Sequence, residues 1–206
     1  MRGIFCVSML CACALAVSGL AGCGKAAEKA TDKAAEKVAE KAAERALKSS
    51  GGGGRVDIDN KTGAVRVTGR DASGASYDIK SGASGDSVQM TQTTEEGTVT
   101  AQYGEGAKLP ADFPKDVPVL DGLKIEAAVA NGDKGEFTVS GKTTAGMDDV
   151  LSFYKDKTTA QGWKETMSMN AGEMYTFMCE KDSRALSVMM VKEEDGTMVS
   201  LSVTPK

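Results

Sequence analysis

The first limit on any chemistry in this chain is that its 206 residues include no histidine. That absence removes the commonest general base, so serine–histidine and cysteine–histidine catalysis are excluded. Ordinary zinc sites lose their usual donor with it. Of the five cysteines, Cys6, Cys11, Cys13 and Cys23 crowd the amino terminus and Cys179 stands alone. A lone thiol forms no intramolecular disulfide, and Cys179 is expected to be buried on a strand face shared with Tyr175 and Phe177. Methionine is concentrated late, with eight of the eleven between Met147 and Met198. Thioethers are soft Cu(I) ligands and adaptable apolar contacts. Here Met167-Ser168-Met169 and Met189-Met190 fall within strand-like runs, so core packing is the first reading.

The carboxylates offer no better site. Asp57-Ile58-Asp59-Asn60, followed by Gly63, has the outline of an acidic calcium loop. Lys61 occupies the next ligand position, however, and no glutamate follows at the required distance. Asp148-Asp149 falls in a first helical turn, where carboxylates complement the helix dipole. Glu193-Glu194-Asp195-Gly196 reads as a hairpin turn. The formal charge is −4, and one unit more negative without Arg2, which is no nucleic-acid-binding balance. No catalytic residue, metal ligand or cofactor is assigned, and the expectation is a protein that is not an enzyme.

The amino terminus carries an address. Arg2 precedes an apolar run from Ile4 to Val17 that is too short to cross a bilayer, and Leu20-Ala21-Gly22-Cys23 closes it. This stretch resembles the lipobox of bacterial lipoproteins. The resemblance implies recognition through Leu20, Ala21 and Gly22, cleavage before Cys23, and lipidation of Cys23. It also implies residues 1–22 as signal peptide and attachment to a membrane through the lipid. With Gly24 and Lys25 following, the pattern resembles that of outer-membrane lipoproteins facing the periplasm; in a bacterium without an outer membrane the cell membrane takes its place.

Residues 23–54 are expected to be an anchor, a helical spacer and a glycine hinge. AAEK-type tetrapeptides fill residues 26–49, strong helix formers that would extend roughly 36 Å. A four-residue repeat drifts around a helix of 3.6 residues per turn, so no continuous seam forms and a solvated stalk is favoured over a coiled coil. Gly51–Gly54 would end it.

Residues 55–104 alternate short apolar pairs (Val56/Ile58, Val65/Val67, Tyr77/Ile79, Val88/Met90, Val99 through Tyr103) with turn formers, which predicts an antiparallel meander too poor in apolar bulk to be stable alone. Residues 105–122 form an extended connector through Pro110, Pro114 and Pro118, with Phe113 and Val117 able to pin it to a core.

Residues 123–206 read as an α+β domain of order ββαββββ, an antiparallel sheet with one packed helix. The helix runs from about Ala145 to Gln161 with Met147, Val150, Leu151, Tyr154 and Thr158 on one stripe, and Trp163 plugs the core at its end. The strands are apolar on both faces: Met174 and Met178 oppose Tyr175, Phe177 and Cys179. One helix cannot cover two faces. The second face is expected to meet the meander first of all, otherwise another copy, a partner or a ligand. Met174, Met178 and Met189 are the candidate apolar contact face.

The segments LPADFPKDVPVLDG and VLSFYKDKTTAQGW resemble an uncharacterised kind of bacterial lipoprotein domain, a likeness covering residues 105–206 that implies no activity. The leading expectation is an accessory or interaction module that meets an envelope protein or a second copy of itself. The alternative is a carrier or sensor of a small apolar molecule in a methionine-lined pocket between helix and sheet.

Overall fold

A computed structural model of the chain describes residues 31–49, 53–59 and 61–206. Leu20, Ala21, Gly22 and Cys23 lie outside them. The described chain is mostly β: eleven antiparallel strands in one sheet and two α-helices. Among the described residues, no helix is long and apolar enough to cross a membrane.

Helix α1 spans Thr31–Ser49, within the Ala/Glu/Lys repeat. Strands β1 (Gly53–Ile58), β2 (Val65–Arg70), β3 (Ser76–Ser81), β4 (Ser87–Thr94) and β5 (Gly97–Gly104) then run as a meander. Gly53 and Gly54, read from sequence as hinge, instead open β1 opposite Arg70 and Gly69. The glycines are needed for close approach: a Cβ on Gly69 would sit 2.2 Å from the Gly53 carbonyl oxygen. Asp57 pairs with Arg55 at 3.4 Å. The Asp59 carboxylate accepts from the Lys61 N–H at 2.9 Å, closing the β1–β2 turn, and these turn N–H groups lower its pKa.

The connector does not run straight. The carbonyls of Pro110 and Pro114 accept N–H bonds from Phe113 and Val117 at 3.1 Å, so each proline begins a turn. Phe113 meets Phe137 edge to face at 5.8 Å, and Val117 is buried, so both residues do pin the segment to the core.

Strands β6 (Lys124–Asn131) and β7 (Glu136–Thr143), helix α2 (Met147–Ala160), and strands β8 (Lys164–Ala171), β9 (Met174–Lys181), β10 (Arg184–Glu193) and β11 (Gly196–Pro205) complete the fold. Asp148 and Asp149 occupy the first turn of α2. Val150, Tyr154 and Thr158 are its buried stripe, and Gly162 at φ +84° ends it. The core lies between α2 and one sheet face, where Phe177, Leu186, Val188, Met190, Val199, Leu201 and Val203 are fully buried.

The strand order is β1-β2-β3-β4-β5-β6-β7-β11-β10-β9-β8. The meander therefore does not stack on the second face of the carboxy-terminal strands. It joins them edge to edge, through β5 on β6. Backbone pairing won over side-chain stacking because β6 offers hydrogen-bonding groups on both edges, while the meander's few half-buried side chains offer little area for a second layer.

Candidate functional site: the open face of the sheet

Residues opposite one another in neighbouring strands share a face, so the register defines what the side away from α2 presents. One row crosses all eleven strands: Val56, Val67, Ile79, Met90, Ala101, Val129, Thr138, Ser202, Ser187, Met178 and Met167. Three zones appear along it. The meander end is aliphatic, the middle is small and polar, and the β8–β10 end is rich in methionine.

Alternation within β8 to β10 builds the methionine zone. Met178 stands opposite Met167, while Thr176 lies between Met169 and Met189. One step further, Met174 faces Val191, which in turn faces Met198. Met174, Met178, Met189 and Met198 are half-buried; Met167 and Met169 are 52 % and 51 % exposed. Of the late methionines Met190 is fully buried and Met147, on α2, packs partly buried against the core. The other six thioethers thus lie on a surface rather than in a core, contrary to the packing reading. In the polar middle, the Ser140 hydroxyl donates to the Ser200 hydroxyl at 3.1 Å.

The helix side has no room for a comparable site. Tyr154, Phe177, Leu186, Met190 and Leu201 fill the space between α2 and the sheet. Burial pushes the Tyr154 phenol up to about 12, against a bond it accepts from the Leu120 N–H at 3.4 Å. Cys179 is buried among these residues, and desolvation raises its thiol pKa, so it is a packing group and no nucleophile. The methionines assigned to a contact face are therefore on the far side of the sheet from any helix–sheet interior. A shallow groove of about 450 Å³ lies elsewhere, lined by residues 89–91 of β4, 100–102 of β5 and 108–112 of the connector.

One polar constellation escaped sequence reading. The Asp116 carboxylate accepts from Arg184 Nη1 and Nη2 at 3.0 and 2.6 Å and from Lys181 Nζ at 2.7 Å. Its carbonyl accepts the Trp163 indole N–H at 2.7 Å, and the Arg184 guanidinium lies 5.1 Å from the Trp163 ring centroid. The Arg184 bonds hold the Asp116 carboxyl far below the ordinary carboxylate range, against burial and with help from Lys181. This cluster fastens the connector to the end of α2 and to the β9–β10 hairpin. Its acid is neutralised by two cations, which makes it a clasp and not a proton-transfer site. Separations of 47, 65 and 68 residues hide it from any local motif. Among the described residues, no three His, Cys, Asp or Glu side chains stand together as a metal-ligand set.

A family model described as START domain-like matches residues 124–197, from β6 into the start of β11. No curated protein and no solved structure matches the chain.

Proposed function

We propose that this chain is a lipid-anchored envelope protein whose folded part is a non-enzymatic interaction module. The observation that carries the reading is the methionine zone: half-exposed thioethers on strands β8 to β11, where the opposite face of β9 to β11 is packed under α2. Unbranched, polarizable methionines adapt to differently shaped apolar partners at small cost. The address resides in Leu20-Ala21-Gly22-Cys23. Acylation at several points of Cys23 would make a lasting anchor, since each buried methylene adds about 0.8 kcal/mol. The α1 repeat would serve as a stalk, its charges keeping it in water, and the module would be held off the outer membrane on the periplasmic side.

The lipid anchor is tested by Cys23→Ala. Incorporation of labelled fatty acid and retention in the membrane fraction should both be lost, and an unchanged membrane fraction would refute the reading.

A second reading follows from the START domain-like match, which is compatible with a ligand-binding module. In that case the apolar molecule would lie across Met174, Met178 and Met189 on the open face, because the helix side is filled. Native mass spectrometry of the gently purified chain separates the two. A co-purifying second polypeptide favours the interaction module; a fixed small mass that organic solvent strips away favours the carrier.

A further inference from the structure

An open sheet has two edges, and this one treats them differently. At β1, Glu40 of α1 accepts the Ile58 N–H through Oε1 at 3.2 Å, and Arg55 and Asp57 place charge along the strand. Both features discourage another chain from adding there. At the opposite edge, β8 pairs only with β9, and every residue from Lys164 to Ala171 is exposed. From Met167 to Ala171 it carries no charge and no proline. Met167 and Met169 are the most exposed large apolar side chains of the sheet.

The backbone direction follows from the hairpin. The β8–β9 turn has two residues, Gly172 at φ +74° and Glu173, with Ala171 opposite Met174. A two-residue turn makes that closing pair hydrogen-bonded, and alternation then turns the N–H and C=O groups of Ser168 and Asn170 away from β9. These groups are available for a further strand.

We propose that β8 pairs, antiparallel, with β8 of a second copy of this chain about a two-fold axis at Ser168. Ser168 then exchanges both backbone bonds with its symmetry mate. Met167 of each copy falls opposite Met169 of the other on the open face, so four thioethers meet at the seam and continue into the Met178 row. The β-bulge between Glu165 and Met167 interrupts the regular strand, so the regular seam is confined to the residues around Met167-Ser168-Met169. The self-complementarity is specific to this centre: Met167-Ser168-Met169 reads alike in both directions, and a one-residue slip of one strand would turn its methionines to the wrong face. A seam this short buries far less than the ~1,200 Å² of a standard interface, so the pair is weak between free chains. It forms where lipid tethering confines the copies to one leaflet and raises their effective concentration. In that respect the inference rests on the membrane-anchored reading.

The test is cross-linking of the full chain in its own membrane, using differently tagged Met167→Cys and Met169→Cys variants. Their Cα atoms would face each other in a non-hydrogen-bonded pair about 4.5 Å apart, within disulfide reach. Co-expressed, the two should give a mixed disulfide under mild oxidation at least tenfold above either variant alone, with buried Cys179 leaving the wild type blank. Adding Ser168→Pro, which removes the central N–H from an outward position, should abolish that cross-link. An unchanged melting temperature would show that the fold survives. No mixed cross-link, or equal yield from Met167→Cys alone, overturns the proposal. A chain that fractionates with the membrane and retains an envelope protein yet gives no mixed cross-link also overturns it, while leaving the interaction-module reading in place.

Discussion

Strands β1–β5 and β6–β11 belong to one sheet, yet they are held by opposite faces. In the carboxy-terminal half the fully buried apolar side chains point towards α2, Phe177, Val188 and Leu201 among them, while the methionine zone lies on the face behind them. In the meander that same face is polar: Thr68 faces Asp78, and Arg66 clamps the Asp78 carboxylate through Nε and Nη2 at 3.0 and 2.8 Å. Its valines, Ile79 and Met90 point the other way and stay largely half-buried. The inversion takes place across β6, where Ala127, Ala128, Val129 and Ala130 give small apolar groups to both sides. Backbone pairing therefore extends a sheet well beyond the reach of its hydrophobic core. One half is stabilised by packing; the other depends chiefly on its ladder and on its neighbour.

The sharpest way to break this contrast is to truncate one side chain in each half. Phe177→Ala should cost about 4 kcal/mol, as large-to-small changes in sealed cores do, whereas Ile79→Ala should cost about 1 kcal/mol. Comparable losses in chemical denaturation would mean the meander has a sealed core of its own. A fragment ending near Glu105 should likewise fail to melt cooperatively, since it lacks the β6 edge on which β5 pairs.

Next in size is the clasp. Asp116→Ala removes three charge-assisted bonds from a half-buried site, and should cost about 2 kcal/mol. The folded-state pKa of Asp116 lies below its unfolded value of about 3.9. The stabilisation is thus fully present above about pH 4 and lost as the pH falls through the folded pKa. Asp116→Asn should flatten that acid limb of the stability profile; an unchanged limb would show that the clasp carries no linkage.

A smaller effect is expected on the open face. Met178→Ser combined with Met189→Ser should change stability by about 1 kcal/mol or less, because both side chains are only half-buried. The same pair should abolish retention of whatever the face binds. A loss of several kcal/mol would instead place these methionines in a second core.

The smallest expected signal is a null one. Native Cys179 should resist thiol reagents at neutral pH and react only on unfolding, read by mass spectrometry of its peptide. Rapid native labelling would show that the core beside α2 opens.

Much of this was legible along the chain. The period-two runs located the strands, the stripe Val150–Tyr154–Thr158 located α2, and the isolation of Cys179 foretold its burial, because each signal is local. The Asp116–Lys181–Arg184–Trp163 clasp was not legible, since its members meet only after three separate elements dock. The methionine face was half legible: alternation told which methionines share a side, but not which side faces water.

The sequence by itself determined the strands, the helices and the absence of histidine chemistry, since composition and short-range periodicity suffice for these. Only the tertiary structure decided that the meander extends the sheet instead of covering it. That choice turned on β6 having a free edge for β5, a pairing between segments separated by the whole connector, and it left the methionine face and the β8 edge open.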